Sequence, residues 1–402
     1  MSRYHDVVIV GGGLVGASLA IALDRLGKDI ALVEATPPGE VPAVFDERNL
    51  SFAAATVNAL TALGVMARLH NPTGPIRQIH VSRAGDFGRV LLRAADYGRG
   101  EFGQVVVARD FGMALEDALA DCRKLTRYRP ATFLGLGAGQ DGLRQLKIGT
   151  GDGEVALSTP LLVGADGSHS SVRGALGIAA QRQDYGQRLF VARVRTSRAP
   201  DGTAWERFGN DGPTALLPRG DRHHGLIHGV PEAQAEAIAA LDEAAWLEHA
   251  QAAFGWRAGR FIASGPRSAY PIVKVLAERV VASRAVLLGN AAQTIHPLGA
   301  QGFNLGLRDA LTLAELIATS EDPGSDALLA EYLQRRAADR ERTLRFSDGL
   351  ARLTSNDAPL LRPLRSAGLL AAGSVPTVQS MLVGGAMGFA GDVPALCREV
   401  AA

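Results

Sequence analysis

The sequence predicts an α/β protein in which a parallel βαβ domain is interleaved with an antiparallel-sheet domain and followed by a helical tail. Three observations predict it. Short apolar runs at residues 5–10, 30–33, 161–163 and 285–288 have the length and β-branched content of strands buried on both faces. Residues 76–92 and about 185–275 instead alternate apolar and polar side chains, with turn clusters at 209–212 and 219–222, as strands with one wet face do. From about residue 325 the pattern is helical.

The elements follow in order. After the strand at residues 5–10, residues 14–26 read as a helix that is apolar all round, stopped by Gly27. Residues 30–33 form the second strand, with Glu34 at its carboxyl end. A hairpin turning at 84–88 lies within residues 76–92, and residues 111–119 return to helix. Strands at 143–148 and 154–157 are joined by TGDG, and the run 161–163 leads into GADG. A single helix is expected over 233–254 and another over about 302–318. These readings divide the chain into a discontinuous dinucleotide-binding domain (1–75, 101–182 and 276–345), a substrate domain (76–100 and 183–275) and a helical C-terminal segment (346–402).

A chain of 402 residues is long enough for two cores, and 47% apolar with 21% charged residues fits an ordinary globular protein. The net charge of +1 favours no nucleic-acid partner. Arg335, Arg336, Arg340, Arg342 and Arg345 alternate with Asp339 and Glu341, which reads as a solvated helix face. Cys122 and Cys397 have neither metal nor redox-motif spacing and suit a reducing, cytoplasmic compartment. The N-terminus runs straight into a strand, with no secretory leader expected, and no run of 18 apolar residues offers a membrane span.

Gly11, Gly13 and Gly16 form G-x-G-x-x-G between the first strand and helix. The first glycine allows the tight turn, the second lets a pyrophosphate reach the backbone, and the third lets helix and strand pack closely. The free N–H groups of the helix then face the phosphates. Glu34 follows Gly16 by 18 residues, near the spacing at which an acid meets the adenosine ribose. This is a Rossmann-like unit, which FAD and NAD share. GTGDG at 149–153 lies in a hairpin, lacks the strand-to-helix context and reads as a turn.

Two later segments point to a flavin. GADGSHSSVR follows a buried strand, and GNAAQTIHPLGAQGFNLGLRD carries a glycine-bearing loop into a helix N-terminus near Gly302. A helix N-terminus facing reduced flavin stabilises its negative edge, by up to about 2 kcal/mol in a partly buried site. Asn290 is placed to bond the ribityl chain.

These segments resemble the class A flavoprotein monooxygenases. Asp166, Gly167, Ser170 and Arg173 match the family's D-G-x-x-S-x-x-R, and Pro297, Gly299, Ala300, Gly302 and Asn304 match its flavin loop. FGQVVVARD resembles the family's FAD-contacting stretch, which implies cofactor roles for Gln104 and Arg109. The nearest likeness is to the ubiquinone-pathway hydroxylases, those acting on 2-polyprenyl-6-methoxyphenol, through FDERNLSFAAAT, IHVSRAGDFG, ERFGNDGPTALLP and SAYP. It implies a place for Arg48 beside the flavin. Gly289-Asn290 stands where the wider family has Gly-Asp, as in the ubiquinone branch.

The resemblance implies FAD as cofactor, NAD(P)H as a transient co-substrate without its own fold, and O₂. It implies hydroxylation of a phenolic, polyprenylated substrate through a flavin C4a-hydroperoxide. The pocket is expected around 205–218, with Phe208, Leu216, Leu217 and Pro218 against an apolar tail. No catalytic side chain is assigned: His296 reads as a loop histidine beside Pro297, and His223 and His224 as surface residues. No metal-ligand cluster and no G-x-S-x-G elbow is present. The same motifs would serve a flavin hydroxylase of another phenol, a flavoprotein reductase, or a scaffold. A halogenase lacks support, because W-x-W-x-I-P is absent. The stretch LLRPLRSAGLLAAGSV either docks on a membrane surface or partner, or caps its own core.

Overall fold

The computed structural model describes residues 2–40, 47–139, 142–355 and 362–398. It brings the four apolar runs into one sheet. Strands Ala285–Leu287, Leu161–Gly164, Val7–Val10, Ile30–Val33 and Leu125–Tyr128 lie side by side in that order, all parallel, with Val281–Ala282 antiparallel at one edge. The central strands are wholly buried, which is why they carry no polar face. Helices Leu14–Arg25, Ala108–Ala120 and Gln301–Ala318 and the meander Ala131–Leu136, Arg144–Thr150, Gly153–Thr159 share one hydrophobic cluster with it. Gly27, at φ +72°, ends the first helix as its position predicts.

The alternating segments form a nine-stranded sheet. Its path runs Gln293–Thr294, Ser268–Ala277, Ala180–Thr196, His224–Pro231, Pro213–Pro218, Thr203–Phe208, Gln78–Arg83, Arg89–Arg93, with Phe261–Ser264 paired on Ala180–Thr196. The pairing is antiparallel except where Thr203–Phe208 meets Gln78–Arg83. That parallel seam joins strands from the two alternating inserts, which no hairpin connects. Gln293–Thr294, from the late glycine-loop segment, closes one edge against Ser268–Ala277.

Several expectations are corrected. The helix expected over 233–254 is two helices, Glu232–Ala239 and Glu243–Phe254. Asp242 accepts from the Ala245 N–H at 2.8 Å and starts the second. Helix Asp326–Ser355 runs through the division expected at 345. The arginine-rich stretch is not a solvated face throughout. Arg336 and Asp339 are buried, Arg308 Nε bonds Asp339 at 2.7 Å, and Arg336 Nε bonds Asp309 at 2.7 Å. Gln293 also donates to Asp309, at 2.9 Å. The network ties Gln301–Ala318 to Asp326–Ser355. Only pairs such as Arg345–Glu341 remain exposed.

His224 is buried rather than on the surface, with Nδ1 3.1 Å from the Thr196 hydroxyl, and burial lowers its pKa to about 4. It sits at an inward position of a strand that the turn-rich sequence around it hides. His223 is half-buried and Nδ1 lies 2.8 Å from the Asp221 carbonyl.

The tail packs on its own chain. Helices Arg362–Ser374 and Pro376–Met387 lie by the hairpin strand Arg89–Arg93. A Cβ on Gly373 would fall 2.5 Å from the Arg89 carbonyl oxygen, and Val383 and Met387 bury with Val90 and Leu92. Leu360 and Leu361, at the start of the apolar stretch, lie outside the described residues, as do Phe45 and Asp46. Among the described residues no helix is long and apolar enough to cross a membrane.

Candidate active site

Three glycine-bearing turns meet because their strands are neighbours. Val7–Val10, Leu161–Gly164 and Ala285–Leu287 are parallel and adjacent, so the turns at Gly11, Gly164–Gly167 and Gly289 all emerge at the carboxyl edge of the sheet. This is where open α/β sheets bind ligands. Gly11 has φ +107°, and a Cβ there would lie 2.4 Å from the Ala165 carbonyl oxygen. A Cβ on Gly16 would lie 2.0 Å from the Gly11 oxygen. Nothing lies within 4 Å of a Cβ on Gly13, so the one glycine of the three that borders open space is the one the pattern turns toward a pyrophosphate. No side chain caps the helix that starts there, which leaves its first N–H groups for a ligand.

Glu34 reaches back over this turn. Its carboxylate accepts from the Gly12 N–H at 2.7 Å and the Thr36 N–H at 2.7 Å. Asp166 is used within the protein: it accepts from the Ser170 hydroxyl and from the Val172 N–H at 3.1 Å. Ser170 in turn caps Ser171–Ala175 by accepting from Arg173 N–H at 2.9 Å. The Arg173 guanidinium donates to the carbonyls of Ala291 and Ser168, each at 2.9 Å. The D-G-x-x-S-x-x-R residues therefore brace the second turn against the third. Gly167, at φ +84°, makes the bend between Asp166 and that short helix.

In the third segment Gly289, at φ +55°, lets Val15 of the first helix approach, with Val15 Cγ2 3.0 Å from where its Cβ would stand. Asn290 is exposed on this turn. Pro297, Gly299 (φ +72°) and Ala300 (φ +49°) bend the chain into helix Gln301–Ala318, which also has no side-chain cap. Gly302 lies in its first turn. His296 holds the loop from behind: Nδ1 accepts from the Leu298 N–H at 3.2 Å, and its ring meets Tyr185 edge-on at 4.8 Å. Burial, against the pull of Asp348, lowers His296 to about 4, so it is neutral near pH 7.

Asn304 is buried and spends its amide on protein. Oδ1 accepts from Ala53 N–H at 2.9 Å and Thr56 Oγ1 at 2.7 Å, while Nδ2 donates to Ser51 O at 2.9 Å and Ala300 O at 2.8 Å. All four positions of the amide are used, so the Asn304 side chain fixes the loop from within the protein. Asn304→Ala is expected to cost about 3 kcal/mol by stranding these buried groups. Exposed Asn290→Ala should stay within about 0.5 kcal/mol. Urea midpoints of the two variants check the contrast, and equal midpoints would remove the clamp.

The remaining expected cofactor residues lie on or beside strands Asn49–Ala53 and Gly103–Val107 and helix Ala108–Ala120. Arg48 stacks over the Tyr270 ring at 4.2 Å, while its carbonyl accepts from Ala108 N–H at 2.9 Å. Gln104 donates to Glu101 at 2.7 Å from strand Gly103–Val107. Arg109 pairs with Glu47 at 3.3 Å and lines a cavity of about 290 Å³ with Arg193 and Arg219.

A second cavity, about 140 Å³, lies between the Pro297–Ala300 loop and one face of the nine-stranded sheet. Ser51, Ile79, Leu189, Trp205, Glu206, Ala215, Leu217 and Ile227 are among its walls. Of the four expected substrate residues only Leu217 lines it. Leu216, one position along the strand, faces the other way and is buried with Phe190 and Trp246, as the two-residue period of a strand requires. Phe208 and Pro218 are buried at strand ends, outside the lining. Glu206 was missed. The signal was available: in Thr203–Phe208 it occupies the same face as Ala204 and Phe208, a charge among apolar neighbours. Burial pushes its carboxyl up to about 7.

Residues 4–347 match the family model of the FAD binding domain. The chain is 32% identical over 391 residues to the ubiquinone hydroxylase UbiL of Rhodospirillum rubrum, covering 96% of this chain and 90% of that protein. It is 30% identical over 378 residues to the 3-demethoxyubiquinol 3-hydroxylase of Escherichia coli, covering 91% and 94%. Its fold is similar to that of p-nitrophenol 4-monooxygenase PnpA from Pseudomonas putida, with a TM-score of 0.79 at 17% identity over 97% and 99% of the chains. The chain belongs to the FAD binding domain family. It is an FAD-dependent monooxygenase of the aromatic-hydroxylating class. The open face at Gly13 and the two uncapped helix N-termini fit this cofactor: an anionic pyrophosphate suits the first, and the electron-rich edge of a reduced ring suits the second.

Proposed function

We propose that the enzyme hydroxylates the phenolic ring of a polyprenylated ubiquinone precursor, with NAD(P)H as transient reductant and O₂ as the oxygen source. The observation that carries this reading is the small apolar cavity against the Pro297–Ala300 loop, in a chain whose relatives are named for ubiquinone hydroxylation. An apolar cavity of about 150 Å³ accepts a benzene ring, so about 140 Å³ suits one ring and leaves a long tail to extend outward.

Bound FAD supplies hydride acceptance and oxygen activation. The chain does the rest. Gly11, Gly13 and Gly16 would admit the pyrophosphate, Glu34 the ribose, and the Pro297–Gly302 loop would border the ring. Arg48, Gln104 and Arg109 would contact the cofactor from the second side. Leu217 and its neighbours would hold the substrate and exclude water. In this arrangement residues 1–75, 101–182 and 276–345 serve the cofactor, 76–100 and 183–275 the substrate, and the helical tail from 346 covers the hairpin. Leu370 and Val375, exposed on that tail, offer a peripheral contact with the membrane in which polyprenyl chains partition.

The test follows NADH and NADPH oxidation and O₂ uptake with a short-chain 2-prenyl-6-methoxyphenol. Substrate-stimulated turnover and a product heavier by one oxygen atom are expected. Turnover that leaves every product without added oxygen would overturn the reading.

A further inference from the structure

Within the cavity beside the Pro297–Ala300 loop, Glu206 is the one titratable side chain in the lining. Strands Gln78–Arg83 and Pro213–Pro218 flank it and place Val81 and Ala215 opposite it. Across the cavity stand Pro297, Leu298 and Gly299. Among the described residues no hydrogen-bond donor meets its carboxylate, whereas the titratable groups of the neighbouring strands and helix are engaged elsewhere. Arg207 donates to the Phe254 carbonyl at 2.7 Å, Arg257 to Ser82 at 2.9 Å, and the His80 ring lies tilted against Trp205 at 4.8 Å. Glu206 is half-buried, and a carboxylate that serves structure among apolar side chains is bonded. This one is aimed at a space of ring size.

We propose that Glu206 is the proton acceptor for the phenolic hydroxyl of the substrate. This rests on the ring-hydroxylase reading above. The phenol O–H bond breaks, its proton forms a carboxyl O–H on Glu206, and the electron pair stays on the phenol oxygen. The phenolate so formed carries more electron density at its ortho and para carbons, one of which takes up one atom of O₂ as hydroxyl, while the other atom leaves as water with the two electrons that NAD(P)H would supply through bound FAD. The ring carbon then releases its proton to water as aromaticity returns, which leaves the first phenol oxygen as a phenolate, and Glu206 returns its proton there and becomes a carboxylate again.

The apolar wall sets the acceptor's strength. Desolvation alone raises the carboxyl to about 7. A carboxyl raised to about 7 lies closer to a phenol than an ordinary glutamate does, so burial makes Glu206 the stronger proton acceptor. The cavity holds one negative charge before the transfer and one after it, now spread over a ring.

The experiment uses oxidised holoenzyme and two probes, a short-chain 2-prenyl-6-methoxyphenol and its methyl ether. Binding is read by quenching of tryptophan fluorescence, Trp205 being in the wall, from about pH 5 to about pH 9. The phenol should bind about tenfold tighter as pH rises through about 7, because only the carboxylate accepts its O–H, and the ether should show no step. Glu206→Gln should erase the step, and the ascending limb of kcat/KM should go with a fall of about a hundredfold. If the variant does not fold, the two probes on the native enzyme decide alone: a step for both, or for neither, overturns the proposal. A step and rate retained in Glu206→Gln also overturn it. Oxygenated product from the native enzyme with such a result leaves the hydroxylase reading standing. A phenol-specific step without any oxygenated product would strike that reading while upholding the contact with Glu206.

Discussion

Gly16→Val is expected to leave a protein that no longer retains FAD. A Cβ at position 16 would lie 2.0 Å from the Gly11 carbonyl oxygen, and the turn that must yield is itself pinned, since Gly11 has φ +107° and sits against the Ala165 backbone. Valine adds two further methyl groups where none fits. Moving backbone on both sides of this turn costs about 3 kcal/mol, which is more than a hundredfold in affinity for a cofactor bound there. Flavin absorbance per protein after purification measures it, and a circular dichroism melt separates lost cofactor from lost fold. A variant purified with full flavin content would show that the helix and turn can separate without consequence. Gly13→Ala makes the informative contrast. Its Cβ meets no protein atom within 4 Å, so the fold should melt as the native protein does while FAD binding weakens.

Asp339→Ala is expected to lower stability by about 3–5 kcal/mol, the largest effect for a residue remote from the glycine turns. Asp339 bonds the buried Arg308 and Arg336 and also Arg342, and its removal leaves two guanidinium groups in the interior between helices Gln301–Ala318 and Asp326–Ser355 with less charge than they need. Arg342→Ala removes a partly exposed partner and should cost under about 1 kcal/mol. Urea midpoints compare the two. Equal losses would mean that the buried network contributes no more than a surface pair. The acid limb carries the same information. Burial raises the Asp339 carboxyl, but Arg308 and Arg336 outweigh it and hold it below the usual range. A carboxylate held low when folded stabilises fully above its unfolded value of about 4, and that contribution disappears as pH falls through the folded value. Native protein should therefore lose stability steeply below about pH 4, and Asp339→Ala should lose that part of the slope. Because Arg308 and Asp309 lie in the helix that the glycine loop starts, a weakened network is also expected to loosen flavin binding.

The glycine turn, the apolar strands and the bend from Pro297 into helix Gln301–Ala318 were legible in the sequence because their requirements are local. A backbone turn of positive φ, a helix start without a side-chain cap and a strand buried on both faces each dictate residue types within a few positions. That is why Gly11, Gly16 and the run Val7–Val10 stand where their patterns place them. The resemblance to flavin monooxygenases added the cofactor class and the substrate chemistry. Position across the sheet was decided by tertiary structure. The parallel seam between Thr203–Phe208 and Gln78–Arg83 joins segments more than a hundred residues apart, and no local signal encodes such a pairing. Facing followed from it: Leu217 and Glu206 line the cavity while Leu216 does not, a difference of one residue that only the register resolves. Arg336 and Asp339 look like a solvated helix face until Arg308 and Asp309 arrive from another helix to pair with them. Sequence determines which groups exist and what their neighbours along the chain permit. Which charges are buried, and which carboxylate faces the cavity, depends on segments that come together only when the chain folds.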